Sequence, residues 1–181
     1  MAILLFCVAE EAKPFISKIM SVEQSENTWF FALAESREGP AENGIFKNKT
    51  REGATVETDF IGAPEQDCRV WGQEQMQRWN TIDKGLIAIA DQRTARDETI
   101  SLQFFNEDSD DLEFDGYGKL PAENQKWYNF RVKYADSFQI YAALTEGAID
   151  VVYPTYFGRQ QELTGEDGVF DVERAEKLCV E

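Results

Sequence analysis

The sequence predicts an all-β fold, a barrel or sandwich of about seven to nine short antiparallel strands followed by one C-terminal helix. Three observations lead there. Short apolar runs recur between polar turns along most of the chain. Residues 128–134 alternate cleanly, with Tyr128, Phe130, Val132 and Tyr134 on one face and Asn129, Arg131 and Lys133 on the other. Only the end of the chain carries a clear helical stripe, Val169, Val172, Ala175 and Cys179.

Taken in order, residues 12–20 (AKPFISKIM) read as a short helix or entering segment, with Pro14 in its first turn. Residues 29–33 (WFFAL) read as the first strand, and 54–61 as a second that stops at Gly62-Ala63-Pro64. Residues 68–71 and 86–90 read as short strands. Residues 99–105 alternate, with Ile100, Leu102 and Phe104 on one face. The acidic stretch 107–111 reads as a solvated turn, because it lacks the ligand spacing, glycine and final glutamate of a calcium loop. Apolar residues then fall at every second place over 112–117. Residues 138–144 (FQIYAAL) and 151–157 (VVYPTYF) read as two further strands joined by Thr145-Glu146-Gly147, Pro154 making the latter an edge or a bulge. Thr164 or Asp167 can cap the final helix.

Composition narrows the functions. The 181 residues carry 18 Lys and Arg against 34 Asp and Glu, a formal charge of −16. That balance speaks against phosphate-backbone recognition and against anionic membranes. The chain has no His, which removes His-based catalysis, metal ligation and pH switching. No cofactor or metal is expected, and no apolar run approaches the length of a membrane span. At 43% hydrophobic and 13% aromatic residues, a single domain with a real core is the expectation. Residues 2–9 (AILLFCVA) end in Cys7-Val8-Ala9, a small-residue pattern like a signal-peptidase site. They are either the remnant of a secretory signal, leaving 10–181 as the domain, or a buried first strand. Asn48-Lys49-Thr50, in a polar stretch, is a glycosylation sequon.

Residues 156–164 (YFGRQQELT) resemble the last-strand motif of lipocalins, an aromatic-Gly-Arg step before a polar turn and the C-terminal helix. Ala135-Asp136-Ser137-Phe138 looks like that family's Thr-Asp-Tyr-x-x-aromatic motif, and residues 27–34 (NTWFFALA) are similar to its first-strand Gly-x-Trp signature. The sequence departs from the pattern at Asn27, in the blurred 133–136 step and over 68–111. The resemblance implies an eight-stranded antiparallel up-and-down barrel around one small ligand, with the helix packed outside. It implies a scaffold contact of Trp29 with Arg159 and a disulfide between Cys68 and Cys179 in a secreted protein. It also implies a ligand cavity lined by Tyr128, Phe130, Tyr141, Ala143, Tyr153, Thr155 and Phe157.

The expected function is then that of a secreted, non-catalytic carrier for a small hydrophobic or amphipathic molecule. A cationic amine is the sharper alternative if Asp59, Glu113 or Asp115 faces inward. Two other classes stay open: an enzyme on a small barrel using Asp, Glu or Tyr for proton transfer, and an acidic interaction module or nucleic-acid mimic.

Overall fold

The computed structural model describes residues 1–25, 28–40, 45–51, 53–107, 112–123 and 126–180, with the backbone alone for 23–25 and 28–29. The chain begins with β1 (Ala2–Cys7), a 3-10 segment (Glu10–Phe15), α1 (Ile16–Ile19), β2 (Glu23–Ser25), β3 (Thr28–Trp29) and β4 (Phe31–Leu33). Next come α2 (Glu65–Arg78), β5 (Ile82–Ala90), α3 (Gln92–Asp97), β6 (Thr99–Asn106), β7 (Leu112–Phe114), β8 (Gly118–Leu120) and β9 (Lys126–Lys133). Then α4 (Ser137–Glu146), α5 (Ile149–Tyr153), a π-helical turn (Pro154–Gly158), α6 (Gln160–Leu163) and α7 (Val172–Cys179) close the fold.

The expected all-β barrel is not what forms. The chain is 40% helical and 27% strand, and its main sheet is open and mixed. Five strands run in the order β4-β1-β5-β6-β9. β1 is parallel to both neighbours, while β5, β6 and β9 are successively antiparallel. Two outer strands, β4 and β9, remain as edges instead of pairing into a closed wall.

Residues 2–7 explain the parallel core. Ile3 to Cys7 are all completely buried. An unbroken apolar run suits a strand covered on both faces, which is the condition of parallel sheets. Ile3, Leu5 and Cys7 join the cluster on one face; Leu4 and Phe6 join the cluster on the other.

The first face is covered by α1 and by the C-terminal helices. The second is covered by α2 over β1 and β5. Phe6 stands at the centre of that second cluster, edge-on to Phe60 at 4.9 Å and Trp71 at 5.7 Å. Gly72 lets α2 come close: a Cβ there would meet Ile87 at 3.1 Å. Lys84 ties the end of α2 to β5 by donating to the carbonyls of Trp79, at 2.7 Å, and Met76.

Three expected strands are helices. Residues 68–71 lie in α2, whose buried Cys68, Trp71, Gly72, Gln75 and Met76 repeat at helical spacing. Residues 138–144 lie in α4, where Ser137, Ile140, Tyr141 and Leu144 are buried at i, i+3, i+4 and i+7. Residues 151–157 span α5 and the π turn, so Pro154 sits at a helical N-terminal position instead of a strand edge. Residues 54–61 form no strand. The short helix over 12–20, the strands at 86–90, 99–105 and 128–133, and a C-terminal helix are in place. Tyr134, however, falls in a 3-10 turn, and the helix starts at Val172 with Asp171 as its cap instead of Thr164 or Asp167, which leaves Val169 outside it. Part of the expected 107–111 turn lies outside the described residues.

The disulfide is also absent: Cys7, Cys68 and Cys179 are free. Cys68 is buried under α2 on one face of the sheet, and Cys179 packs against the cluster on the opposite face. Among the described residues no helix is long and apolar enough to cross a membrane.

Candidate functional site

The two faces of the sheet differ most at β6 and β9. On the first face Ile100, Leu102, Phe130 and Val132 are buried in the core. On the second, alternation presents Ser101, Gln103, Asn129 and Arg131 instead. Ser101 and Gln103 are completely buried, and both are satisfied. Gln103 Nε2 donates to Ser101 Oγ at 3.0 Å and to Glu65 Oε2 at 3.0 Å, and its Oε1 accepts from Arg69 Nε at 2.7 Å. Ser101 Oγ donates to Asn129 Oδ1 at 2.9 Å. This polar row leads from α2 across the sheet to its β9 edge.

At that edge lies a crevice of about 510 Å³, lined by Asn129, Phe130, Arg131, Gln160, Gln161, Thr164, Gly168 and Phe170. One wall is β9; the other is α6 and the loop after it. The walls are fastened at several points. Gln160 Nε2 donates to the Asn129 carbonyl at 2.8 Å, and the Phe170 amide donates to the Arg131 carbonyl at 2.8 Å. Arg93 donates to the Asp167 carbonyl at 3.0 Å. The loop is closed on itself by Gly165 N to Val169 O and Asp171 N to Leu163 O. Gly168 adopts φ +75°, a left-handed turn that a side chain would strain.

Arg131 is held by a two-pronged ion pair with Asp91, Nη1 reaching Oδ1 at 3.0 Å and Nη2 reaching Oδ2. The Asp91 carboxylate has a second task. Its Oδ1 accepts from Arg93 N at 3.0 Å and caps α3, while its own amide donates to Thr94 Oγ1, completing a capping box. Thr94 in turn donates to the Thr99 carbonyl at 2.7 Å. The turn from β5 into α3 therefore fixes the carboxylate that fixes Arg131. Arg93 also forms a paired contact with Asp97. Burial raises the Asp97 carboxyl, but hydrogen bonds from Thr99 and Arg93 outweigh it and hold the group below its usual range.

The residues expected to line a ligand cavity are placed otherwise. Phe157 packs at 4.7 Å on Tyr128, 4.9 Å on Tyr153 and 5.8 Å on Phe130. Tyr141 lies on α4 against Phe30 at 5.4 Å, Ala143 packs beside the same core, and Thr155 donates to the Val151 carbonyl at 3.0 Å. The structure thus brings these side chains together as core between β9 and the helices. Phe130 alone of the seven reaches the crevice, from its floor.

The Trp29 side chain lies outside the described part. Arg159 pairs with Glu162 at 2.9 Å. Asn48 is exposed and lines a second crevice of about 420 Å³ beside β4. Asp59, Glu113 and Asp115 are all exposed, and the Arg37 amide that donates to Asp59 keeps this carboxyl low. Burial pushes the Cys7 thiol up to about 11 and that of Cys68 up to about 12, so neither is a thiolate near neutrality. No group of His, Cys, Asp or Glu among the described residues is arranged to hold a metal.

The sequence pattern assigned no binding role to Asp91, Gln160, Gln161, Thr164 or Gly168. One signal was present: an aspartate directly after the apolar 86–90 run, with Thr94 three residues on, reads as a helix cap. Comparison with known proteins finds no matching family model, no matching curated sequence and no matching solved structure.

Proposed function

We propose that this protein is a non-catalytic small-molecule receptor whose site is the crevice along β9. The observation that carries the reading is the crevice itself. Its volume of about 510 Å³ lies within the range of about 300–1,000 Å³ in which small ligands are held. Its walls are pre-formed, because β9, α6 and the 164–170 loop are joined by hydrogen bonds that do not depend on a ligand.

The lining supports binding over turnover. Proton transfer works best from a group poised near the working pH. The crevice presents amides, a hydroxyl, a glycine backbone, phenyl rings and a guanidinium already paired with Asp91. The expectation of a small-ligand carrier is therefore kept, with the ligand on the outside of an open sheet.

The test is native mass spectrometry of the full chain after incubation with a mixed metabolite library. It compares wild type with Gln161→Trp, a substitution at an exposed crevice residue. Adducts held by wild type and lost from the variant are expected. Adducts held equally by both would place binding elsewhere and overturn the proposal.

A further inference from the structure

Resting on the crevice as binding site, we infer that its ligand is an uncharged, polyhydroxylated ring, a neutral saccharide or cyclitol. Charge is the first argument. Among the described residues that line the crevice Arg131 alone is charged, and Asp91 engages both arms of its guanidinium from outside the lining. An anion finds no unpaired cation there, and it must approach a chain of net charge −16. A cation finds no carboxylate in the lining at all.

The unspent hydrogen-bonding groups are the second argument. Asn129 spends Oδ1 on Ser101, which leaves Nδ2 to donate. Gln160 spends Nε2 on the Asn129 carbonyl, which leaves Oε1 to accept. Thr164 donates its hydroxyl proton to the Gln160 carbonyl at 2.7 Å, so the oxygen is left as an acceptor. The Gln161 amide is exposed and supplies both kinds. Donors and acceptors are therefore both present in one crevice. A hydroxyl group is both at once, so a ring of hydroxyls meets this set, whereas a carboxylate or phosphate meets only the donors and an ammonium only the acceptors.

The floor is the third argument. Phe130 is 1% exposed and Phe170 3%, so the rings offer little area to an acyl chain or an odorant. A saccharide needs only a small apolar patch for its C–H face.

The experiment is an NMR titration of the full isotope-labelled chain. The probes are neutral mono- and disaccharides, inositol, a uronate, inorganic phosphate, a primary amine and a fatty acid. The neutral sugars or inositol are expected to shift the side-chain amides of Asn129, Gln160 and Gln161 and the backbone amide of Gly168. Gln161→Leu is expected to weaken that binding about tenfold while leaving remote resonances in place. Asp91→Asn keeps a capping oxygen for α3 but frees Arg131, and it should raise the affinity for the uronate severalfold. Free sugars acting alone would mark a monosaccharide ligand, and disaccharides acting alone a longer glycan. Shifts at these residues from the charged or lipid probes only would overturn the ligand class and leave the crevice reading standing. Silence from every probe at these residues would overturn both.

Discussion

Asp83 lies where β5 slips out of register with β1. Its Oδ1 accepts from the amides of Gly85 at 2.8 Å and Leu86 at 2.9 Å, and it is 6% exposed. Burial is the largest influence on its carboxyl and raises it above the ordinary value of 3.8, against the two amides that pull it down. A raised folded value means that the stability this group contributes is complete below about 3.8 and is lost as the pH climbs through the raised value. Asp83→Asn keeps an accepting oxygen and removes the charge. Denaturant melts across the acid range should show the variant gaining on wild type as pH rises towards neutrality. A difference that does not change with pH would contradict this. The same residue scale shows why the site was hard to read. The Asp91 cap is local and visible in the sequence, but its partner Arg131 lies 40 positions away, and only the sheet register joins them.

β6 and β9 were legible because alternation is a local signal, and β5 because a compact apolar run suits a strand buried on both faces. α7 was legible too, with Val172 and Ala175 buried on the expected stripe. α4 and α5 were misread because aromatic and β-branched residues crowd 138–157 and suit a strand by composition. Their burial follows a period of three to four residues, the better guide. α4 ends at Gly147, where a Cβ would lie 2.5 Å from the Ala143 carbonyl oxygen and from Val152. Gly147→Ala should cost about 1–3 kcal/mol, read from equilibrium unfolding, because backbone must move to admit the methyl group. Phe6 on β1 carries more. Truncation to Ala would empty the space between Phe60 and Trp71 and should cost about 3–5 kcal/mol. A loss below about 1 kcal/mol in that variant would mean that β1 is not an inner strand.

At the scale of the whole molecule, open edges and charge set the behaviour. Nothing in the sequence announces that the sheet stays open. The lipocalin-like motifs fall on the β3–β4 region, on α4 and on the turn into α6, where they do not build a common wall. The net charge of −16 outlasts the surface ion pairs, which contribute little each. Raising salt from about 0.01 M to 0.1 M shortens the screening length from about 30 Å to 10 Å. The melting temperature should therefore rise over that range, and a fall would show that the ion pairs dominate.

The proposed receptor site lies along the outer edge of β9. Crystals of the full chain soaked with a fragment library of sugars, carboxylates, amines and heterocycles test it most directly. Fragments are predicted to gather between β9 and residues 160–168, in contact with Gln160, Gln161 and Thr164. Fragments gathered instead in the crevice formed by Leu33, Phe46 and Lys47, with the β9 edge bare, would overturn the proposed site.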